Sequence, residues 1–438
     1  MGKITNRIIK NASWIVICKI MQSLCAFIIG VFTARYLGPT NYGLISYAAS
    51  IVAFFMPLMQ LGFNSTLVRE FVSQPEREGQ VLGTALVLNI LSSIACVVGI
   101  TTFSAISTPD QPETIIVCCL YSLTLIFQAS EMTQYWFQAK LLSKYPSIVS
   151  LVAYIIVAIY KVYILIDGKS VRWFAVTHVI EAIIVAVALL VIYLKNSKQR
   201  LSFSLKLAKE MFSRSKHYIS SAMMVVVFQQ TDRLMLKWML NEAETGYYSA
   251  SLTCIGITGF VFTAIIDTLR PIVLESKKKS EKEFHEKIIF IYTVITILSL
   301  AQSVGMTVFA KMIIGVVFGP EFLPAVPILQ IAVWYVTFGN YGSVRNVWIL
   351  AEEQQKHLWK INLSGAVVNV ILNLLLIPII GGCGAHDGVL RASGPDSGHL
   401  RRTAQEHVAG SPDLHAGYCV CFGAQLHLRI PRAVSALL

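Results

Sequence analysis

Charge is what this sequence has least of. Lys, Arg, Asp and Glu together make up 14% of its 438 residues, against about 25% in a typical soluble domain. So few charges cannot clothe a water-exposed surface of this size, which excludes a soluble enzyme or signalling protein. No GxxxxGKS/T segment occurs, so the chain has no phosphate-cradling loop with which to hydrolyse ATP. No CxxC pair occurs either. Cys18, Cys25, Cys96, Cys118, Cys119 and Cys254 all lie in apolar stretches, which argues against a disulfide framework. Low-complexity segments are missing. Neither a metal nor a cofactor is expected.

Apolar residues take the place of charge. They make up 55% of the chain, with a mean hydropathy of +0.63, and they fall in runs of the length that crosses a bilayer as a helix, about 20 residues. Eleven spans are expected, over 11–36, 43–63, 81–106, 114–138, 147–166, 173–194, 216–240, 247–273, 288–310, 323–344 and 361–381. Continuous runs exclude a β-barrel, whose strands would alternate over about ten residues. The first span is preceded by Lys3, Arg7 and Lys10, as a signal peptide would be. Lys19 and Gln22 interrupt it and the apolar stretch is too long, so a retained helix is expected.

Basic residues orient the spans. With the N-terminus cytoplasmic, the inner segments hold twenty-one Lys and Arg, and the outer loops hold only Lys169, Arg172 and Lys311. Two outer loops, "TPDQPE" from Thr108 and "NEAET" from Asn241, carry acidic charge alone. This is the positive-inside bias. It accounts for the net charge of +12 as an inner-leaflet anchor and leaves no need for nucleic acid.

The chain also repeats itself. "LGPTNYGLISYA" from Leu37 is echoed by "LNEAETGYYSAS" from Leu240, pairing Leu37 with Leu240, Gly43 with Gly246 and Ser46 with Ser249 at one offset of 203 residues. Six spans separate the copies, an even number, so the repeat is parallel. Each copy is followed by a helix and then a charged inner segment. Two six-helix lobes with a site between them are therefore expected, over 1–200 and 201–382, joined by the basic linker from Lys195 to Lys216. Glycine chosen twice for tight outer turns would give the same echo.

"ARYLGPTNYGLISYA" with "LGFNSTLVRE", followed by "QQTDRLMLKWMLNEAETGYYSAS", resembles the Wzx-type O-antigen flippases, polysaccharide repeat-unit transporters of the multidrug/oligosaccharidyl-lipid/polysaccharide exporter superfamily. The resemblance runs from about Asn6 to Gly384. It implies an all-α polytopic fold of twelve helices in two lobes with a central cavity. It also implies movement of an undecaprenyl-diphosphate-linked oligosaccharide across a bacterial inner membrane, with H+ or Na+ as coupling ion and a polysaccharide polymerase and chain-length regulator as partners. Two other readings stand beside it. One is a cation-coupled drug exporter of the same superfamily. The other is an O-antigen polymerase or ligase, which would be expected to carry a large periplasmic loop.

The last stretch departs from this pattern. From Cys383 the chain has no Lys, no Asn and one Ile, yet holds five of the nine His and five of the fifteen Arg. The histidines are too scattered to gather metal ligands, and no twelfth span can be drawn. A reading-frame shift near Ala385, with loss of the twelfth helix, is expected, and sequencing the gene at that codon tests it.

Polar residues at membrane depth are the candidate site, because they are costly there. Lys19 and Arg35 on the first helix and Arg233 on the seventh are the expected diphosphate contacts, since cations, and Arg in particular, grip phosphate oxygens. Asp232 is either part of that site or neutralises a basic partner on a neighbouring helix. Asp267 and Arg270, at i, i+3, are expected to face the substrate or to pair. Glu131, Gln134 and Gln138 form a stripe beside Tyr135 and Trp136 suited to sugar, or equally to an interfacial aromatic belt. Asn362, Asn369 and Asn373 share a face with Gly365, which suggests helix packing. Lys161, His178 and Glu181 complete the set. Glu131, Glu181, Asp232 and Asp267 are the carboxylates able to carry a coupling proton.

Overall fold

A computed structural model describes residues 2–197, 199–354 and 358–385. The proposed frame shift and everything beyond Ala385 lie outside the described residues. Among the described residues there are twelve α-helices and no strand: α1 Gly2–Gln60, α2 Leu67–Ser73, α3 Glu78–Ser107, α4 Pro112–Gln128, α5 Thr133–Ala139, α6 Lys144–Ile166, α7 Val171–Asn196, α8 Leu205–Met239, α9 Glu242–Lys279, α10 Glu281–Val317, α11 Ala325–Ala351 and α12 Leu358–Ile380.

Among the described residues eight helical stretches are long and apolar enough to cross a membrane, which makes this a multi-pass membrane protein. The eleven expected spans map onto these helices with three differences. The first two spans run together in α1, which bends at Gly38 rather than opening into a loop. The fourth is broken: α4 ends at Gln128, a 3₁₀ turn covers Ala129–Met132, and α5 resumes at Thr133. The seventh and tenth, within α8 and α11, fall short of the hydropathy of a free-standing span. In α8 the reason is the polar run Gln229, Gln230, Asp232 and Arg233, which neighbouring helices shelter.

The bend at Gly38 is a matter of backbone geometry. Its φ of 69° and ψ of 174° suit glycine, and Pro39 then restarts the helix with a fixed φ and no N–H to leave unbonded. Asn241 stands at the equivalent place in the second copy, 203 residues on. Its backbone is extended instead, and its side chain accepts the Glu244 amide at 2.9 Å to cap α9.

Helix α1 is the spine. It packs on α3, α4 and α6, and on α8 and α9. The pairs α3–α4, α4–α7 and α6–α7 close the first half, and α9, α10 and α11 pack on one another with α12 lying on α8. Apolar cores fill both halves, one around Tyr47, Ile51, Val117 and Phe174, another around Ala250, Ile314, Phe322 and Leu329. The outward faces carry bare aliphatic side chains such as Ile155, Ile159 and Ile166 on α6. Lipid, rather than water, is the solvent in which such a face is stable.

At the basic end the chain between α7 and α8 is strapped to α3. Gln199 accepts the Gly79 amide at 3.0 Å and donates to the Pro75 carbonyl just before α3 at 2.9 Å, and beyond the connection Arg214 of α8 pairs with the buried Glu70 of α2 at 2.7 Å.

Candidate functional site

Two polar centres lie at membrane depth. The first is a cavity of about 390 Å³ inside the first half, walled by α1, α4, α5, α6 and α7. The 3₁₀ turn that interrupts the fourth span delivers Glu131 to it, with Gln128 just before and Gln134 just after. A 3₁₀ segment inside a long helix commonly marks function or strain. Across the cavity stand His178 and Glu181 of α7, and Gln22 of α1 and Tyr121 of α4 complete the polar wall. The Tyr121 and His178 rings lie 4.9 Å apart. Lys161 of α6 is buried and interacts electrostatically with Glu181.

The second centre is Asp232 of α8. It is buried, and one carboxylate oxygen accepts from Asn369 at 3.1 Å and from Asn373 at 2.7 Å, both on α12. The other accepts from the Tyr248 hydroxyl of α9. All three of these donors are neutral. Of the two readings of Asp232, the one in which it neutralises a basic residue of a neighbouring helix finds no such residue among these donors. Asn369 and Asn373 do join α12 to α8, but through the carboxylate rather than by close backbone approach.

Arg233, next in sequence, points elsewhere. It donates to Ser249, a residue of the repeated motif, at 3.2 Å and to Gln230 at 3.0 Å. Arg35 donates to the Val317 carbonyl at 2.7 Å and to that of Val316, capping the C-terminal end of α10. Lys19 is exposed on α1, one turn from Gln22. Asp267 and Arg270 pair at 2.8 Å, both about half exposed. Glu131 and Gln134 thus share one cavity, Asp232 occupies a centre of its own, and Arg35 is engaged at the helix end.

Trp136 has no open face on which a ring could stack. It is 3% exposed and meets Phe137 and Tyr193 edge-on, because the break before α5 turns it into the first half's core. Sequence reasoning did not pick out Tyr121, Gln128, Tyr248 or Lys237. Lys237 is buried and holds Glu242 and, at 2.7 Å, Gln111 of the loop between α3 and α4. A lysine at the end of a span reads as an interfacial anchor, so nothing local could have disclosed that partnership.

Residues 8–277 match the family of polysaccharide biosynthesis proteins. The chain belongs to that family. Among curated relatives, this polysaccharide biosynthesis protein is 26% identical over 198 residues to an uncharacterized membrane protein of Methanocaldococcus jannaschii, covering 44% of this chain and 39% of that one. It is 26% identical over 183 residues to the "Probable low-salt glycan biosynthesis flippase Agl15" of Haloferax volcanii, covering 42% and 39%. The chain thus spans about two fifths of the length of these curated relatives. Its fold is that of solved transporters. It is similar to the lipid II flippase MurJ in an inward closed conformation with a TM-score of 0.72, 14% identity and coverage of 86% and 84%. It is also similar to an inward-facing MATE-family multidrug transporter of the MOP superfamily, with a TM-score of 0.67, 12% identity and coverage of 89% and 96%.

Proposed function

We propose that this polysaccharide biosynthesis protein moves a lipid-linked oligosaccharide, an undecaprenyl-diphosphate-linked O-antigen or capsule repeat unit, from the cytoplasmic to the periplasmic leaflet of a bacterial inner membrane. The observation that carries this reading is the polar cavity at membrane depth in the first half, within the fold of a lipid-precursor flippase. Polar groups in lipid are costly and persist where a polar cargo passes. Lys19 and Arg233 supply cationic contacts for the diphosphate, with Arg270 near the inner end. Movement is by alternating access between two lobes, 1–200 and 201–382, with the N-terminus cytoplasmic. The transport step makes and breaks no covalent bond of the cargo.

Asp232 is the leading site for a coupling H+ or Na+. A sheltered carboxylate whose donors are all neutral can exchange a cation without breaking a fixed ion pair. A second reading, a cation-coupled drug exporter, draws on the two carboxylates Glu131 and Glu181 of the first cavity, which would attract a cationic drug.

A gel of surface polysaccharide separates these readings, using a host deleted for the gene with and without its restoration. Loss of all repeats, single ones included, with recovery on restoration is the result expected of a flippase. Persistence of single repeats would identify a polymerase, and an unchanged ladder would favour drug export.

A further inference from the structure

The first-half cavity carries more than its place in a transporter. Its volume, about 390 Å³, lies at the low end of the range for small-molecule pockets, about 300–1,000 Å³. That is room enough for a sugar ring and its substituents. Its wall gathers the side chains of Gln22, Gln128, Glu131, Gln134, His178 and Glu181, hydrogen-bonding groups from four parts of the chain. The backbone is broken into a 3₁₀ turn at the place where Glu131 enters.

The chemistry of the wall selects among ligands. Glu131 and Glu181 repel a diphosphate, so that group has to lie elsewhere. An acyl chain gains nothing from carboxylates and amides. Lys161 offsets part of the acidic charge beside Glu181, which weakens the case for a cation. Carboxylates that accept, amides that both accept and donate, and an aromatic wall for a C–H face together fit a polyhydroxylated ring.

We propose that this cavity is a pocket for a sugar ring of the transported glycan, in which Glu131 and Glu181 accept hydroxyl hydrogens, Gln128 and Gln134 fix orientation, and His178, backed by Tyr121, packs against the ring. The choice of ligand rests on the glycan-transport reading. The pocket separates the two parts of the cargo, sugar in the first half and diphosphate at basic residues outside it.

The test uses the purified full-length protein and saturation-transfer NMR with D-glucose, D-galactose and N-acetyl-D-glucosamine as probes, and tetraphenylphosphonium as a competing cation. Transfer to at least one sugar is expected, abolished by Ser150→Trp, which fills the cavity, and unmoved by the cation. Gln134→Ala, which opens space instead of filling it, should weaken binding about tenfold and keeps the test open should the tryptophan prevent folding. Glu131→Gln should retain binding, because an amide oxygen still accepts. Absence of transfer to every sugar, a signal that survives Ser150→Trp, or displacement by the cation would overturn the pocket. Surface polysaccharide is scored separately. If the unaltered gene restores no polysaccharide while sugar still binds in this cavity, the transport reading fails and the pocket stands. If the unaltered gene and a stably folded Ser150→Trp variant both restore it, the pocket is overturned and transport stands.

Discussion

Gly43 and Gly246 face each other at the crossing of α1 and α9, each pressed on the other helix's backbone. A Cβ at Gly43 would fall 1.7 Å from the Glu242 carbonyl oxygen, and one at Gly246 would fall 2.1 Å from that of Pro39. The contact is reciprocal in the repeat itself, since Pro39 and Glu242 are separated by the same 203 residues as the two glycines. The echoed motif is therefore a self-complementary joint in which each copy supplies the glycine that the other requires.

Alanine at either glycine should destabilise the protein by about 1–3 kcal/mol, the usual cost of overpacking where backbone cannot retreat. Gly305→Ala on α10 is the control. An added Cβ there meets nothing within 4 Å, and helix propensity favours the change. Thermal unfolding of the purified protein should show Gly43→Ala and Gly246→Ala melting lower and Gly305→Ala unchanged or higher. Equal melting of all three would show that the crossing is not tight.

Lys237 joins the start of α9 to the loop between α3 and α4 through Glu242 and Gln111. Lys237→Met strands a carboxylate and Glu242→Gln strands an ammonium. Either should cost about 3–5 kcal/mol, and the double variant should recover much of the loss, because removing both partners also removes the desolvation penalty. A double variant that melts as low as the sum of the single ones would argue against a shared buried pair.

At Asp232, charge and hydrogen bonding separate. Asp232→Asn keeps an acceptor for Asn369, Asn373 or Tyr248 and should leave melting close to that of the unaltered protein while abolishing polysaccharide export. Asp232→Ala leaves buried donors unmatched and should also lose about 1–3 kcal/mol. Full export by Asp232→Asn would remove Asp232 from ion coupling.

Arg35 tests two roles that part company in measurement. As a cap on the Val316 and Val317 carbonyls, its replacement by Gln should cost about 1 kcal/mol and lower export only as far as melting falls. As a diphosphate contact, Arg35→Gln would abolish export with melting unchanged. The geometry favours the first outcome.

The spans were legible in the sequence because a bilayer imposes a length and an apolar composition that no other solvent requires. Lysine and arginine in alternate loops were equally plain. The pairing of Asp267 with Arg270 could be anticipated, since i, i+3 neighbours meet on any helix. The Gln199 strap, the Trp136 core and the Asp232 knot could not, because each depends on a residue brought close only by folding.

Sequence by itself thus determined the solvent, the helices and the existence of a repeat, all of which follow from local composition and spacing along one chain. Tertiary structure decided what the repeat is for: Gly43 and Gly246 meet only when α1 and α9 cross. It also decided which polar residues share a cavity, because Glu131 and Glu181 lie fifty residues apart and nothing in the spacing of helices predicts which faces turn inward together.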